Sequence, residues 1–209
     1  QGAATGTTRH PPGAQLDGKS IYELFESEKV TFSAGVPTVW QMLLGHLGAN
    51  NLKLSTMRRT VIGGSACPPA MMDAFRDQYN VTVYHAWGMT EMSPLGTYGN
   101  LKGKHMEADW PTQRALLLKQ GRAVFGVDMK VVDPEGKELA RDGVASGDLL
   151  VRGSWIVKEY FKGDGGQILD NDGYFGTGDV ATLDPDGFMQ ITDRSKDVIK
   201  SGGEWISSI

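Results

Sequence analysis

The spacing of apolar residues changes along the chain, and this change constrains the fold more than any other feature. Over about the first 90 residues, segments with helical spacing, such as Ile21, Leu24 and Phe25, alternate with β-rich runs such as Thr60-Val61-Ile62. Beyond about residue 120, short β-rich runs are separated by turn signals. The pattern predicts an α/β fold: a parallel sheet with flanking helices, followed by a small antiparallel, β-barrel-like subdomain.

Prolines and glycines place the element ends within this fold. Val36-Pro37 and Pro68-Pro69 predict helix starts, because proline suits the first helical turn. Asp133-Pro134-Glu135-Gly136 and Asp184-Pro185-Asp186-Gly187 are typical of hairpin turns. We therefore expect four parts: an α/β subdomain in residues 1–100, a polar linker in 101–120, an antiparallel β-subdomain in 121–193 and a hinge segment in 194–209.

Composition argues against several classes of function. The chain carries a formal net charge of -4 and no large basic block, so it lacks the usual signature of nucleic-acid binding. Its apolar runs are shorter than the roughly 20 residues that span a bilayer, so we expect no transmembrane segment. Cys67 is the single cysteine, which rules out an internal disulfide and suits a reducing compartment such as the cytoplasm.

Three loops follow predicted strands and are expected at one edge of the parallel sheet. Ligands gather at the carboxyl ends of such strands, where loops and helix starts expose unpaired N–H groups. This edge is therefore the expected ligand site. The loops are Gly35-Val36-Pro37, Gly63-Gly64-Ser65-Ala66 and residues 86–91.

Taken alone, the polar residues of these segments leave two interpretations open. Thr90 and Glu91 can hold a phosphate oxygen and Mg²⁺, or they can simply begin a helix. Asp179 can accept two ribose hydroxyls, or it can be a turn residue after glycine. His85 is more typical of a packed residue than of a base, and Cys67 has no activating neighbour in the sequence, so we expect neither to be catalytic.

Three blocks in order resolve this ambiguity through a resemblance. They are Tyr84-His85-Ala86-Trp87-Gly88-Met89-Thr90-Glu91, then Tyr174-Phe175-Gly176-Thr177-Gly178-Asp179, then the charged run at 191–208. Together they resemble the adenylate-forming enzymes, which include acyl-CoA synthetases, peptide-synthetase adenylation domains and firefly-type luciferases. The end of the third block, Ser201-Gly202-Gly203-Glu204-Trp205-Ile206-Ser207-Ser208, is most similar to medium- and long-chain fatty acyl-CoA synthetases.

The resemblance implies a role for each matched residue. Thr90 is expected to contact the α-phosphate, Glu91 to hold Mg²⁺, and Lys200 to neutralise charge during catalysis. Lys196 matches the hinge between the adenylation and thiol-transfer conformations. The nucleotide-binding set is Gly63, Gly64, Ser65, Ala66, Trp87, Gly88, Asp179 and Arg194, with Trp87 on the adenine and Asp179 and Arg194 on the ribose; the acyl-pocket set is Gly35, Val36 and Pro37.

The implied activity is that of an AMP-forming fatty acid-CoA ligase that uses a fatty acid, ATP, Mg²⁺ and CoA. Two alternatives stay open: a ligase for another small acid, such as a thioether or branched acid, and a non-catalytic nucleotide- or acyl-binding module. A homodimer of the complete protein is also left open.

We further expect the chain to be an internal piece of its parent enzyme. The segment Thr5-Gly6-Thr7-Thr8-Arg9-His10-Pro11-Pro12-Gly13 only superficially resembles the phosphate loop of the family, in which a lysine stands where Pro12 does. In the family that loop also lies several dozen residues before the segment that matches Pro12-Gly13-Ala14-Gln15-Leu16-Asp17, whereas here the two overlap. The domain after the hinge is also expected to be missing. An isolated chain of this kind is therefore expected to be inactive.

Overall fold

A computed structural model describes Pro11, Gly13 and residues 15–194, together with the backbone of 199–201 and 204–206. The chain divides into two compact units, Gln1–Tyr84 and His85–Ile209. The sequence predicts a subdomain boundary near residue 100, whereas the boundary between the two units falls inside a strand.

The first unit alternates helices and strands, as the apolar spacing predicts. Two of its strands pair in parallel, with Gly35 opposite Ile62. This confirms the α/β interpretation of the N-terminal region. The elements are α1 (Gly18–Ser27), β1 (Phe32–Gly35), α2 (Pro37–Ala49), β2 (Arg59–Ile62), α3 (Pro69–Tyr79) and the start of β3 (Thr82–Gly88).

The helix ends follow local sequence signals. Asp17 caps α1 by accepting hydrogen bonds from the backbone N–H groups of Lys19 and Ser20. Helices α2 and α3 both carry proline in their first turn, as predicted. Asn80 ends α3 in the left-handed conformation, at φ 53°, which asparagine tolerates better than most residues.

Aromatic rings join the three helices of the first unit. The ring of Trp40 lies 6.3 Å from that of Phe25 and 5.9 Å from that of Phe75, the latter in an edge-to-face arrangement. All three side chains are buried. Helices α1 and α2 approach closely at Gly18, where a Cβ would overlap the backbone carbonyl of Met42.

The second unit is built mainly from antiparallel strands, as predicted. Hydrogen-bonded neighbours follow the order β3-β4-β5-β9-β8-β7-β6. Within this unit β3 and β6 are the two outermost of the described strands and do not pair with each other. These strands therefore form an open sheet, whereas a barrel-like subdomain was expected. The strands are β4 (Leu95–Tyr98), β5 (Gly121–Ala123), β6 (Val127–Val132), β7 (Ser146–Gly153), β8 (Phe175–Leu183) and β9 (Phe188–Arg194).

The turn between β8 and β9 explains why this hairpin was predictable. Asp184 Oδ1 accepts hydrogen bonds from the backbone N–H groups of Asp186 and Phe188, both at 2.9 Å. Gly187 supplies the positive φ, 81°, that closes the turn. Lys119 adds an ion pair of 2.7 Å to Asp184.

The segment predicted as a linker, 101–120, contains regular structure. A short 3-10 turn, Gly103–His105, precedes helix α4 (Trp110–Leu118). Asp109 caps this helix by accepting a hydrogen bond of 3.0 Å from the backbone N–H of Thr112. The polar composition of this segment predicts a linker, whereas the structure shows a capped helix there.

The last described elements are two short strands, β10 (Ile199–Ser201) and β11 (Glu204–Ile206), which pair antiparallel. The predicted hinge residue Lys196 lies outside the described residues, and so does the side chain of Lys200. Among the helices that the structure describes, none has the length and apolar character needed to cross a membrane.

Candidate functional site

In the first unit, two of the predicted ligand loops lie side by side. The backbone N–H of Gly63 donates to the carbonyl of Gly35 at 3.3 Å. Gly64 adopts φ 81°, and a Cβ at this position would lie 3.0 Å from Cγ1 of Val36. The parallel pairing of β1 and β2 therefore brings the predicted acyl-pocket loop next to the predicted glycine-rich loop, which continues through the exposed Ser65 and Ala66.

The acyl-pocket loop is fixed by the core behind it. Trp40 Nε1 donates to the carbonyl of Gly35 at 3.2 Å, and the indole leaves little room for a side chain at this glycine. Val36 is 44% exposed and precedes Pro37 at the start of α2. Among these residues, Val36 thus presents an apolar side chain on a loop that the core holds in place.

In the second unit, three predicted nucleotide-binding residues form one cluster. Trp87 Nε1 donates a hydrogen bond of 2.9 Å to Asp179 Oδ2. Arg194 lies opposite Asp179 in the β8–β9 register, and its Nε is 3.7 Å from Asp179 Oδ1. Trp87 lies 92 residues before Asp179 in the sequence, and Arg194 lies 15 residues after it. The sheet therefore brings together three side chains that are distant in the sequence.

Burial dominates the electrostatics of this cluster. The Asp179 side chain is 13% exposed, whereas Arg194 is 74% exposed. Burial raises the pKa of Asp179 above its usual value of 3.8, while the Trp87 hydrogen bond and the Arg194 charge oppose the increase. The carboxylate is thus an acceptor largely withdrawn from water, with one neutral and one charged partner.

Trp87 contributes to the core as well as to the cluster. Its side chain is 9% exposed and belongs to a buried apolar group with Met92 and Met189. Its indole N–H, however, is directed at Asp179. Stacking of Trp87 on adenine stays a prediction, whereas its hydrogen bond to the predicted ribose acceptor is an additional contact that the motif did not reveal.

Thr90 and Glu91 begin a 3-10 turn, Thr90–Met92, directly after β3. Thr90 is exposed and Glu91 is half-buried. Gly88 allows the preceding strand to approach its neighbour, because a Cβ there would overlap the carbonyl oxygen of Pro94. Thr90 and Glu91 are therefore adjacent residues of a tight turn that follows the end of a strand.

Tyr160 is a site residue that the sequence analysis missed. Its hydroxyl donates a hydrogen bond of 2.8 Å to Glu91 Oε1, and this bond raises the pKa of Tyr160 above its usual value of 10. The two residues are 69 positions apart. An isolated tyrosine in a polar segment gives no sequence signal for such a pairing.

The carboxylate at Glu91 fits a metal that arrives with a nucleotide. Among the described residues, no group of three or more His, Cys, Asp and Glu side chains could hold a metal ion. Mg²⁺ commonly takes one or two protein carboxylates and completes its shell with substrate phosphates and water. A single carboxylate beside a hydroxyl, as at Glu91 and Thr90, is consistent with that mode of binding.

His85 and Cys67 have the structural environments expected of non-catalytic residues. His85 is 1% exposed, and its Nδ1 lies 3.0 Å from the carbonyl oxygen of Leu118. Cys67 is buried, and burial raises the pKa of its thiol to about 12. At neutral pH the thiolate needed for nucleophilic attack is therefore scarce.

Known proteins are similar to this chain in sequence and fold. Residues 2–161 match a family model described as AMP-binding enzyme. The chain is 51% identical over 207 residues to the 3-methylmercaptopropionyl-CoA ligase of Ruegeria lacuscaerulensis, covering 99% of this chain and 38% of that ligase. It is 50% identical over 198 residues to the medium-chain-fatty-acid–CoA ligase of Ectopseudomonas oleovorans, covering 95% of this chain and 36% of that enzyme.

The solved structure of an anthranilate CoA ligase in complex with anthranoyl-AMP has a similar fold. Its TM-score is 0.76 at 24% identity, over 96% of this chain and 37% of that one. At this identity the likeness supports the fold alone. The chain spans less than two fifths of the length of each of these three proteins.

Proposed function

The chain belongs to the AMP-binding enzyme family, and from that premise we propose that it forms the nucleotide-binding part of an AMP-forming acyl-CoA ligase. The observation that carries the proposal is the cluster at Asp179. A carboxylate that is only 13% exposed is costly to keep ionised, and the hydrogen bond from Trp87 offsets part of that cost. An ionised carboxylate only accepts hydrogen bonds, so a carboxylate kept in this form suits a ligand that donates them, such as a sugar hydroxyl.

Asp179 has the acceptor capacity that a ribose requires. A carboxylate offers about four lone-pair sites, and Trp87 uses one of them. The remaining sites can accept both ribose hydroxyls, with the exposed guanidinium of Arg194 free to turn towards the same sugar. Gly63, Gly64, Ser65 and Ala66 provide a backbone without bulky side chains for the adenine, as the family resemblance implies.

Thr90 and Glu91 are proposed to act on the phosphates. The Thr90 hydroxyl donates to an α-phosphate oxygen, and Glu91 holds Mg²⁺ together with the nucleotide. The bound ion supplies neutralisation of phosphate charge. Lys200 is proposed to add a positive charge during the same step.

The proposed reaction has two steps. In the first, a carboxylate oxygen of the acid attacks the α-phosphorus of ATP, and the bond to pyrophosphate breaks to give an acyl-adenylate. In the second, the CoA sulfur attacks the acyl carbon, the bond from that carbon to the AMP oxygen breaks, and the thiol proton is released to solvent as AMP leaves. The acid enters the first step as a carboxylate, so no protein base is needed, in agreement with the packed environment of His85.

The proposed acid is a fatty acid or a small thioether acid. The two relatives described above act on acids of these kinds, as their names state. Gly35-Val36-Pro37 is proposed to contact the acyl chain through the exposed Val36 side chain. We propose a cytoplasmic location because the single cysteine is a free thiol, and we keep the homodimer as a proposal for the complete protein.

A chimera tests the proposed function directly. This chain would replace the aligned segment of the Ruegeria ligase, which supplies the remaining length. Formation of acyl-CoA and AMP, abolished by Asp179→Ala, is the expected result, and the panel of acids would include fatty acids and thioether acids. A folded chimera that binds neither ATP nor an acyl-adenylate analogue would overturn the proposal.

A further inference from the structure

Residues 155–160 hold the turn that carries Thr90 and Glu91. The backbone N–H of Val157 donates to the carbonyl of Glu91 at 2.8 Å. Ser93 Oγ donates to the carbonyl of Trp155 at 3.2 Å, and Trp155 Nε1 donates to the carbonyl of Leu95 at 3.2 Å. These three bonds hold the chain within the turn and directly after it.

The fourth bond is different, because it reaches the functional group itself. Tyr160 OH donates to Glu91 Oε1 at 2.8 Å, although the Tyr160 side chain is 37% exposed and could point to water. The ring lies beside Gly165, where a Cβ would be only 3.5 Å from Tyr160 Cδ2. The backbone bonds set the position of the turn, and the tyrosine sets the direction of the carboxylate.

We infer that Tyr160 is a positioning residue for Glu91, a role that rests on the proposed function. Its hydroxyl occupies one carboxylate oxygen and leaves the other oriented for the Mg²⁺ that accompanies ATP. Groups that orient a metal ligand in this way typically change metal affinity or activity by about 10–100-fold when removed. Because Tyr160 is partly exposed, the lower end of this range is expected.

Tyr160→Phe removes only the hydroxyl and is the variant of choice. In the chimera described above, the Mg²⁺ concentration for half-maximal ATP binding, measured by calorimetry, should rise about 10-fold. Binding of a non-hydrolysable acyl-adenylate, measured without Mg²⁺, should change less than about 2-fold, because that ligand needs no metal. In turnover, the KM for Mg·ATP should rise more than kcat falls.

Tyr174→Phe is a matched control within the same unit. Tyr174 OH also donates to a carboxylate, Asp128 Oδ2, at 2.6 Å, and its side chain is more buried than that of Tyr160. A general effect of losing a tyrosine hydroxyl should therefore be at least as large in this control. Hydrogen exchange at the Val157 amide, which donates to the Glu91 backbone, would show that the turn is intact in Tyr160→Phe.

A double-mutant cycle with Glu91→Gln completes the test. If Tyr160 acts through Glu91, Tyr160→Phe should have no further effect on Mg²⁺ dependence in the Glu91→Gln background. An unchanged Mg²⁺ requirement in Tyr160→Phe, or an equal effect in Tyr174→Phe, would overturn the inference while leaving the proposed function standing. A folded, unmodified chimera that binds neither ATP nor an acyl-adenylate analogue would instead refute the proposed function, and the inference with it.

Discussion

Trp87→Phe should remove the hydrogen bond between the core residue Trp87 and the proposed ribose acceptor, Asp179. The substitution keeps an aromatic ring in the buried cluster and deletes the indole N–H that donates to Asp179 at 2.9 Å. Asp179 then keeps Arg194, at 3.7 Å, as its charged neighbour. We expect a loss of stability that depends on the ionisation of Asp179.

The size of the loss follows from the two contacts. A hydrogen bond to a charged group contributes about 1.5–3 kcal/mol, and Asp179 is buried enough for this range to apply. An exposed ion pair contributes about 0–1 kcal/mol, and Arg194 is 74% exposed. The coupling free energy between Trp87 and Asp179 should therefore exceed that between Arg194 and Asp179.

The dependence on pH has a definite sign. Burial raises the pKa of Asp179 in the folded protein above 3.8, so the folded state holds this proton more tightly than the unfolded chain does. The contribution of protonated Asp179 to the free energy of unfolding is thus complete below the pKa that this group has in the unfolded chain. It is lost as the pH rises through the higher pKa that Asp179 has in the folded protein. Trp87→Phe should raise the folded pKa of Asp179 further and so enlarge the total loss of stability with rising pH.

Urea unfolding of wild type, Trp87→Phe, Asp179→Ala and the double variant would measure the coupling at several pH values. We expect about 1.5–3 kcal/mol at pH 7, decreasing as Asp179 becomes protonated. Arg194→Ala in a parallel cycle is the control. A Trp87 coupling below that of Arg194, or one that does not change with pH, would refute the reasoning.

Three further predictions concern other parts of the chain. Gly88→Ala should destabilise the second unit by at least about 1–3 kcal/mol in urea unfolding, because its Cβ would overlap the carbonyl of Pro94; a change within about 0.5 kcal/mol would contradict this. Cys67, whose pKa is about 12, should resist alkylation at pH 8 until the protein is unfolded, so rapid stoichiometric labelling of the native chain would be the contrary result. Asp186→Asn should lower the free energy of unfolding at pH 7, because it removes the carboxylate that pairs with Lys102 and Lys104. The difference from wild type should shrink as the pH falls below 3.8, since these ion pairs lower the pKa of Asp186 in the folded protein; a difference that grows in acid would contradict this.

Much of the fold was predictable because its signals are local. Pro37 and Pro69 begin helices where the sequence indicated them, and the turn at Asp184 closes the predicted hairpin. Helix α4 was not predicted, although Asp109 is a good N-cap, because its apolar residues cluster near its end instead of recurring at helical spacing. The antiparallel strands were expected, but their open order depends on pairing between distant segments.

The site was predictable only where a motif named the residue. The family resemblance indicated Trp87, Asp179 and Glu91, and β8–β9 pairing places Arg194 opposite Asp179. It could not indicate that Trp87 donates to Asp179, because that contact joins side chains from β3 and β8, which are not neighbouring strands. Tyr160 was missed for the same reason, since its partner lies 69 residues away.

The most direct test of the central claim is calorimetric titration of the chain with a non-hydrolysable acyl-adenylate. We predict saturable binding that requires adenine and is lost in Asp179→Ala, while Tyr174→Phe binds normally. The same titration of the Ruegeria chimera would give the affinity with the rest of a ligase present. Absence of binding in both proteins, or binding that is indifferent to Asp179, would contradict the claim that this chain carries the nucleotide site.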